Sequence, residues 1–192
     1  LRGSLLNLSY GFGKIYVVPH EKVRGQVQGG MCQLPFQQFP TGVMRGRFHP
    51  VNGQLYACGM FAWAGNQRQP GGFYRIRATG KPAHVPIGLT AASRTVKVTF
   101  SEALDRESAE KVDAWTVEAW DLKRTRKYGS RHYNQRGWEV RKAVLGADGR
   151  TVTLTIPELA PTWGMSIRCR IRGVKGEEVV REIHNSVHHL GG

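Results

Sequence analysis

At 192 residues, with a formal net charge of +14 and a pI near 10.3, the chain has room for one large or two small domains, and its charge points toward anionic partners. No apolar run approaches the length of a membrane span, and three widely spaced cysteines, Cys32, Cys58 and Cys169, argue against a disulfide framework and against a zinc site. The charge is uneven: Glu21 is the only acidic residue among the first 84, against ten lysines and arginines, so that stretch carries +9 and the remainder +5. The first residue is Leu1 and no charged segment leads into an apolar one, so the start is expected to be a cut within a longer chain.

In chain order, the first signal is an internal repeat. Gly13-Lys14-Ile15-Tyr16-Val17-Val18 and, further on, Gly29-Gly30-Met31-Cys32-Gln33-Leu34 align with Gly53-Gln54-Leu55-Tyr56-Ala57-Cys58 and Gly71-Gly72-Phe73-Tyr74-Arg75-Ile76. Each unit opens with a short candidate strand, residues 4–9 and 43–48, and Asn52-Gly53 is a strong hairpin signal. A period of about 40 residues with several short strands per unit matches a propeller blade, and blades need neighbours. Alternation within the strands places Ile15 and Val17, or Leu55 and Ala57, on one face.

A Gly/Pro pair at Gly80 to Pro82 marks a boundary, after which the pattern becomes that of an antiparallel sandwich of roughly seven strands. Residues 95–100 alternate cleanly, and residues 101–111 read as a charged helical turn. Further strands are expected at 115–120, 138–145, 151–156, 165–171 and 179–187, with Asp148-Gly149 as a turn. The expected fold is therefore all-β: two β-propeller-like blades over residues 1–82, then an Ig-like β-sandwich over residues 83–192.

Three groups of side chains stand out. Arg45, Arg47 and His49 share a face of one strand; if that strand is innermost in its blade, the face meets an axial channel where a quinone cofactor or anionic substrate would find fixed positive charge. Pairing across the blade is the alternative. Trp63, Asn66 and Gln67 lie in a long connection and suit stacking and hydrogen bonding to a sugar, or else cover a blade edge. Lys123, Arg124, Arg126, Lys127, Arg131 and Arg136, interleaved with Tyr128, His132 and Tyr133, suit an anionic polymer, with a solvated charged loop as the alternative. Neither helical nucleic-acid signatures nor the aromatic motif of an RNA-recognition sheet occurs, so nucleic acid is disfavoured. His184, His188 and His189 invite a metal, but beyond Glu182 no carboxylate or thiolate has a useful spacing, and no metal site is assigned. No catalytic residue is assigned either, since no triad order, phosphate loop or carboxylate pair can be argued.

Val98-Thr99-Phe100-Ser101-Glu102-Ala103-Leu104-Asp105 and residues 145–154, with Leu159-Ala160-Pro161, resemble bacterial Ig-like modules of extracellular proteins. A wider resemblance is carried by Gly42-Val43-Met44-Arg45-Gly46-Arg47-Phe48-His49-Pro50, residues 3–11, 59–66 and 71–77, and Ile183-His184-Asn185-Ser186-Val187-His188. These are similar to the C-terminal region of large planctomycete-type secreted proteins that join a sugar-dehydrogenase-like propeller to a c-type cytochrome domain. The resemblance implies a periplasmic or extracellular location and a parent with haem c and a quinone cofactor. No Cys-x-x-Cys-His spacing occurs, so no cofactor is expected in this piece itself. Expected partners are upstream propeller blades and, given export, a sulfated or uronic polysaccharide. Two functions follow as expectations: a non-catalytic C-terminal fragment closing and bracing a propeller oxidoreductase, or a carbohydrate- or polyanion-binding cell-surface module.

Overall fold

The computed structural model describes residues 3–61 and 68–192, and those residues are almost entirely strand and turn. Along the first part run β1 (Leu5–Ser9), β2 (Lys14–Val18), β3 (His20–Val23), β4 (Gln26–Gln33), β5 (Arg45–Phe48), β6 (Leu55–Met60) and β7 (Gly71–Ile76). There follow β8 (Pro86–Ala92), β9 (Thr95–Phe100), the single-turn helix α1 (Arg106–Ala109), β10 (Trp115–Asp121) and β11 (Tyr133–Trp138). The last strands are β12 (Lys142–Leu145), β13 (Thr151–Thr155), β14 (Thr162–Arg172) and β15 (Glu178–Val187). The chain divides into two compact units, the larger drawn chiefly from Val18–Cys32 and His84–Gly192, the smaller from Leu5–Val17 and Gln33–Ala83.

The larger unit holds two antiparallel sheets with a sandwich-like core. One runs in the order β3-β4-β15-β14-β10-β11, the other β12-β13-β9-β8. The period-two pattern of these strands explains the core: Val96, Val98 and Phe100 from β9 and Val152 and Leu154 from β13 are fully buried. Val117, Met165, Ile167, Ile171, Ile183 and Val187 supply the buried positions of the other sheet. Phe100 and Trp115 meet edge to face at 6.4 Å between ring centroids, joining the layers. Inside β4, side chains at Gly29 and Gly30 would collide with the Pro19 and His184 carbonyls, so both positions require glycine for close packing.

Several elements are narrower or more numerous than the sequence pattern indicates. The charged turn over 101–111 is helical only at Arg106–Ala109, where the Asp105 carboxylate accepts from the Ser108 N–H as an N-cap. Trp138 closes β11 and Lys142 opens β12, so the expected strand over 138–145 is two strands. The hairpin turn falls where Asp148-Gly149 places it, with Gly149 at φ 66.

In the smaller unit β1 pairs with β2, and β5-β6-β7 form a three-stranded sheet. Ile15, Val17, Leu34, Val43, Leu55 and Ala57 are its buried apolar side chains. Tyr74 supports them through a hydroxyl contact with Thr41 at 2.8 Å and a ring contact with Phe39 at 4.7 Å.

Candidate functional site

The basic stretch divides between a loop and an edge strand. Residues 122–132 connect β10 to β11, while Arg136 lies within β11, paired opposite Ala119. Aromatic contacts and short polar bonds shape the loop. The His132 ring lies flat on Trp120, 4.1 Å between centroids and 12° between planes. The Trp120 indole in turn occupies the space that a side chain at Gly164 would fill. The Lys123 ammonium sits 4.4 Å from the centre of the Tyr133 ring, a cation–π contact, and the Lys123 N–H donates to Ser130 Oγ at 2.9 Å. Thr125 Oγ1 accepts from the Lys127 N–H at 3.2 Å, a local turn that presents successive cations outward.

Electrostatics separate this loop from the sheet beside it. On the sheet, Arg168 pairs with Glu182 at 2.7 Å and Glu118 at 3.9 Å, and Arg170 pairs with Glu178 at 3.3 Å. Arg136 is matched as well, by Asp121 at 3.4 Å. The Asn134 amide, with the Arg136 guanidinium, holds the Asp121 carboxyl below the usual carboxylate range. By contrast, Arg124, Arg126, Lys127 and Arg131 make no ion pair with a carboxylate among the described residues. Four unmatched cations on a loop held by stacked rings form a surface fit for phosphate, sulfate or carboxylate groups.

The other candidate residues fall elsewhere. Arg45 and Arg47 are exposed on β5, opposite Cys58 and Tyr56. His49 lies just beyond that strand, where Nδ1 accepts from the N–H groups of Val51 and Asn52, each at 3.3 Å, and so shapes the β5–β6 turn. Trp63, Asn66 and Gln67 lie outside the described residues. His184 Nε2 stands 3.6 Å from Glu182, and no group of three or more His, Cys, Asp or Glu among the described residues is arranged to hold a metal ion. No helix among them is long and apolar enough to cross a membrane. A shallow groove of about 420 Å³ is lined by Val112, Trp115, Trp138 and the acidic Asp113, Glu118 and Glu139, a poor setting for an anion.

Sequence reasoning missed two aromatic residues near the loop. Trp120 reads as an ordinary strand residue, and only the return of the chain brings His132 onto it. Trp163, the second residue of β14, is 62% exposed, with the His188 ring edge-on at 5.2 Å. An indole followed directly by glycine at the mouth of a strand was the available signal. Comparison with protein-family models, curated proteins and solved structures finds no match to this chain.

Proposed function

We propose that the larger unit is an Ig-like β-sandwich acting as a non-catalytic binding module for an anionic polysaccharide, through the loop over residues 122–132 and Arg136. The observation that carries this reading is the cluster of unmatched cations, Arg124, Arg126, Lys127 and Arg131, on an aromatic-braced loop beside a sheet whose arginines are paired. A polyanion bound there displaces counterions. For about six contacts and a slope of about 0.7 per contact, affinity falls on the order of 10²- to 10³-fold between 50 and 200 mM salt. The test is retention on a heparin column: charge reversal at Arg124, Arg126 and Lys127 together should abolish it. Unchanged retention refutes the loop as the site.

A second reading concerns the smaller unit, whose sheet exposes Phe48 (59%) and Phe73 (73%). Phe48 shares a face with Leu55 and Ile76, and Phe73 stands on the opposite one. Large exposed apolar side chains on both faces are what a propeller blade packs against its neighbours, in keeping with a fragment that closes the propeller of an exported, cytochrome-linked oxidoreductase. A dye that fluoresces on apolar surfaces should bind this protein and lose binding in the Phe48→Ser/Phe73→Ser variant. If the dye does not bind, the reason for this reading disappears.

A further inference from the structure

The strand order gathers more than the loop at one end of the six-stranded sheet. β10 ends and β11 begins there, flanking the loop; β14 starts there at Thr162, and β15 finishes there at Val187. Antiparallel to β15, β4 begins at the same end, so the β3–β4 hairpin with Arg24 and Gly25 also stands there. Adjacent strands lie about 4.8 Å apart, so the five steps from β11 to β3 span about 24 Å.

Three features make this end a continuous track. Trp163 is exposed yet held: His188 packs edge-on against its ring, and Ser186 Oγ donates to the Trp163 carbonyl at 2.7 Å. Gln28 ties the tail of β15 to β4, its Oε1 accepting from the His188 and His189 N–H groups at 2.8 and 2.9 Å while its Nε2 donates to the His189 carbonyl. The hairpin adds the exposed cations Lys22 and Arg24. The Asp121 and Glu21 carboxylates at this end are both engaged, Asp121 by Arg136 and Asn134, Glu21 by Gln28 and the Ala91 N–H.

We infer that the anionic polysaccharide runs along this end of the sheet from the loop to the β3–β4 hairpin, with one of its sugar rings stacked on Trp163. This rests on the loop reading above and extends it. An indole between two groups of cations suits a pyranose, whose C–H face stacks while its sulfates or carboxylates reach sideways. A single-stranded nucleic acid would call for successive open rings. Here Trp120 is already covered by His132, whereas Trp163 is both open and braced by His188.

The experiment titrates the full chain with heparin oligosaccharides of two lengths, one reaching only the loop and one spanning the whole end, and with a single-stranded oligonucleotide of matched charge. Trp163→Ala should weaken the long oligosaccharide about threefold to tenfold without changing the salt slope, because stacking carries no charge, and Trp163→Phe should recover much of the loss. Lys22→Glu with Arg24→Glu should weaken the long oligosaccharide and lower its salt slope, yet leave the short one unaffected. Trp163 quenching should accompany binding of the long form. If both sets of variants bind the long oligosaccharide normally while reversal of Arg124, Arg126 and Lys127 abolishes binding, the track ends at the loop and this inference fails. If the loop reversal is also silent, the loop reading has failed instead. Tighter, Trp163-dependent binding of the oligonucleotide overturns the ligand class.

Discussion

Asn185 offers a sharp test of how the larger unit is held together. It is 6% exposed on β15, between Met165 of β14 and Gly30 of β4, and alternates with buried Ile183 and Val187 on the core side. Neither Nδ2 nor Oδ1 has a hydrogen-bond partner among the described residues. An orphaned polar group in a protein interior costs about 1–3 kcal/mol. Asn185→Leu keeps the branching at Cγ and replaces both orphans with methyl groups, so a gain of about 2 kcal/mol is expected. In a chain of this size each kcal/mol moves Tm by about 2–4 °C, which places the variant about 4–8 °C higher. The assay is a thermal melt followed through the buried indoles of Trp115, Trp120 and Trp138. Asn185→Val, smaller than Leu, guards against overpacking. If both variants melt at or below the wild-type temperature, the amide is satisfied in solution and the reasoning is refuted.

Asp148 gives a pH prediction: the Thr151 hydroxyl and the N–H groups of Arg150 and Thr151 lower its carboxyl to about 2. Because the folded value lies below the ordinary one of about 3.9, its contribution is complete above that value and is lost as pH falls toward 2. The stability gap between wild type and Asp148→Ala should therefore narrow between pH 4 and pH 2, and a constant gap would show that the hairpin does not depend on the ionised form. Burial pushes the Cys32 thiol up to about 11 and the Cys169 thiol up to about 12, whereas Cys58 is exposed. A thiol reagent at pH 8 should consequently label one cysteine in the native protein and three after denaturation; rapid labelling of all three would mean the core strands open readily.

Residues whose local pattern and burial agree were legible in the sequence. Thr95–Phe100 alternates because one face is the core, and Asp148-Gly149 turns because glycine accepts the positive φ that the hairpin needs. β11 was not legible: Tyr-Asn-Gln-Arg-Gly-Trp has no apolar alternation, and pairing with β10 at the sheet edge makes it a strand. β8 was hidden by Pro86 and Gly88, which read as breakers but sit at a register shift against β9. The glycine pairs of the repeat have different local reasons, since Gly29 and Gly30 admit neighbouring backbone whereas Gly72 leaves room for the Tyr74 ring. The charge of the loop was plain in one dimension. Its bracing was not, because His132 on Trp120 and His188 on Trp163 depend on the path of the chain between them.

The placement of β15 bears on how the protein is made. Its register joins Ile183 to Cys32 on one side and to Ile167 on the other, so a strand synthesised long after β4 lies inside the sheet beside it. A ribosome adding about 5–20 residues per second delivers β15 about 8–30 s after β4, and until then the edges of β4 and β14 that β15 will occupy are unpaired. The six strands of this sheet therefore come together only once β15 has been made. A product truncated before Glu178 would carry two open edges and should be cleared or aggregate, so the arrival of β15 is the step that makes the unit safe.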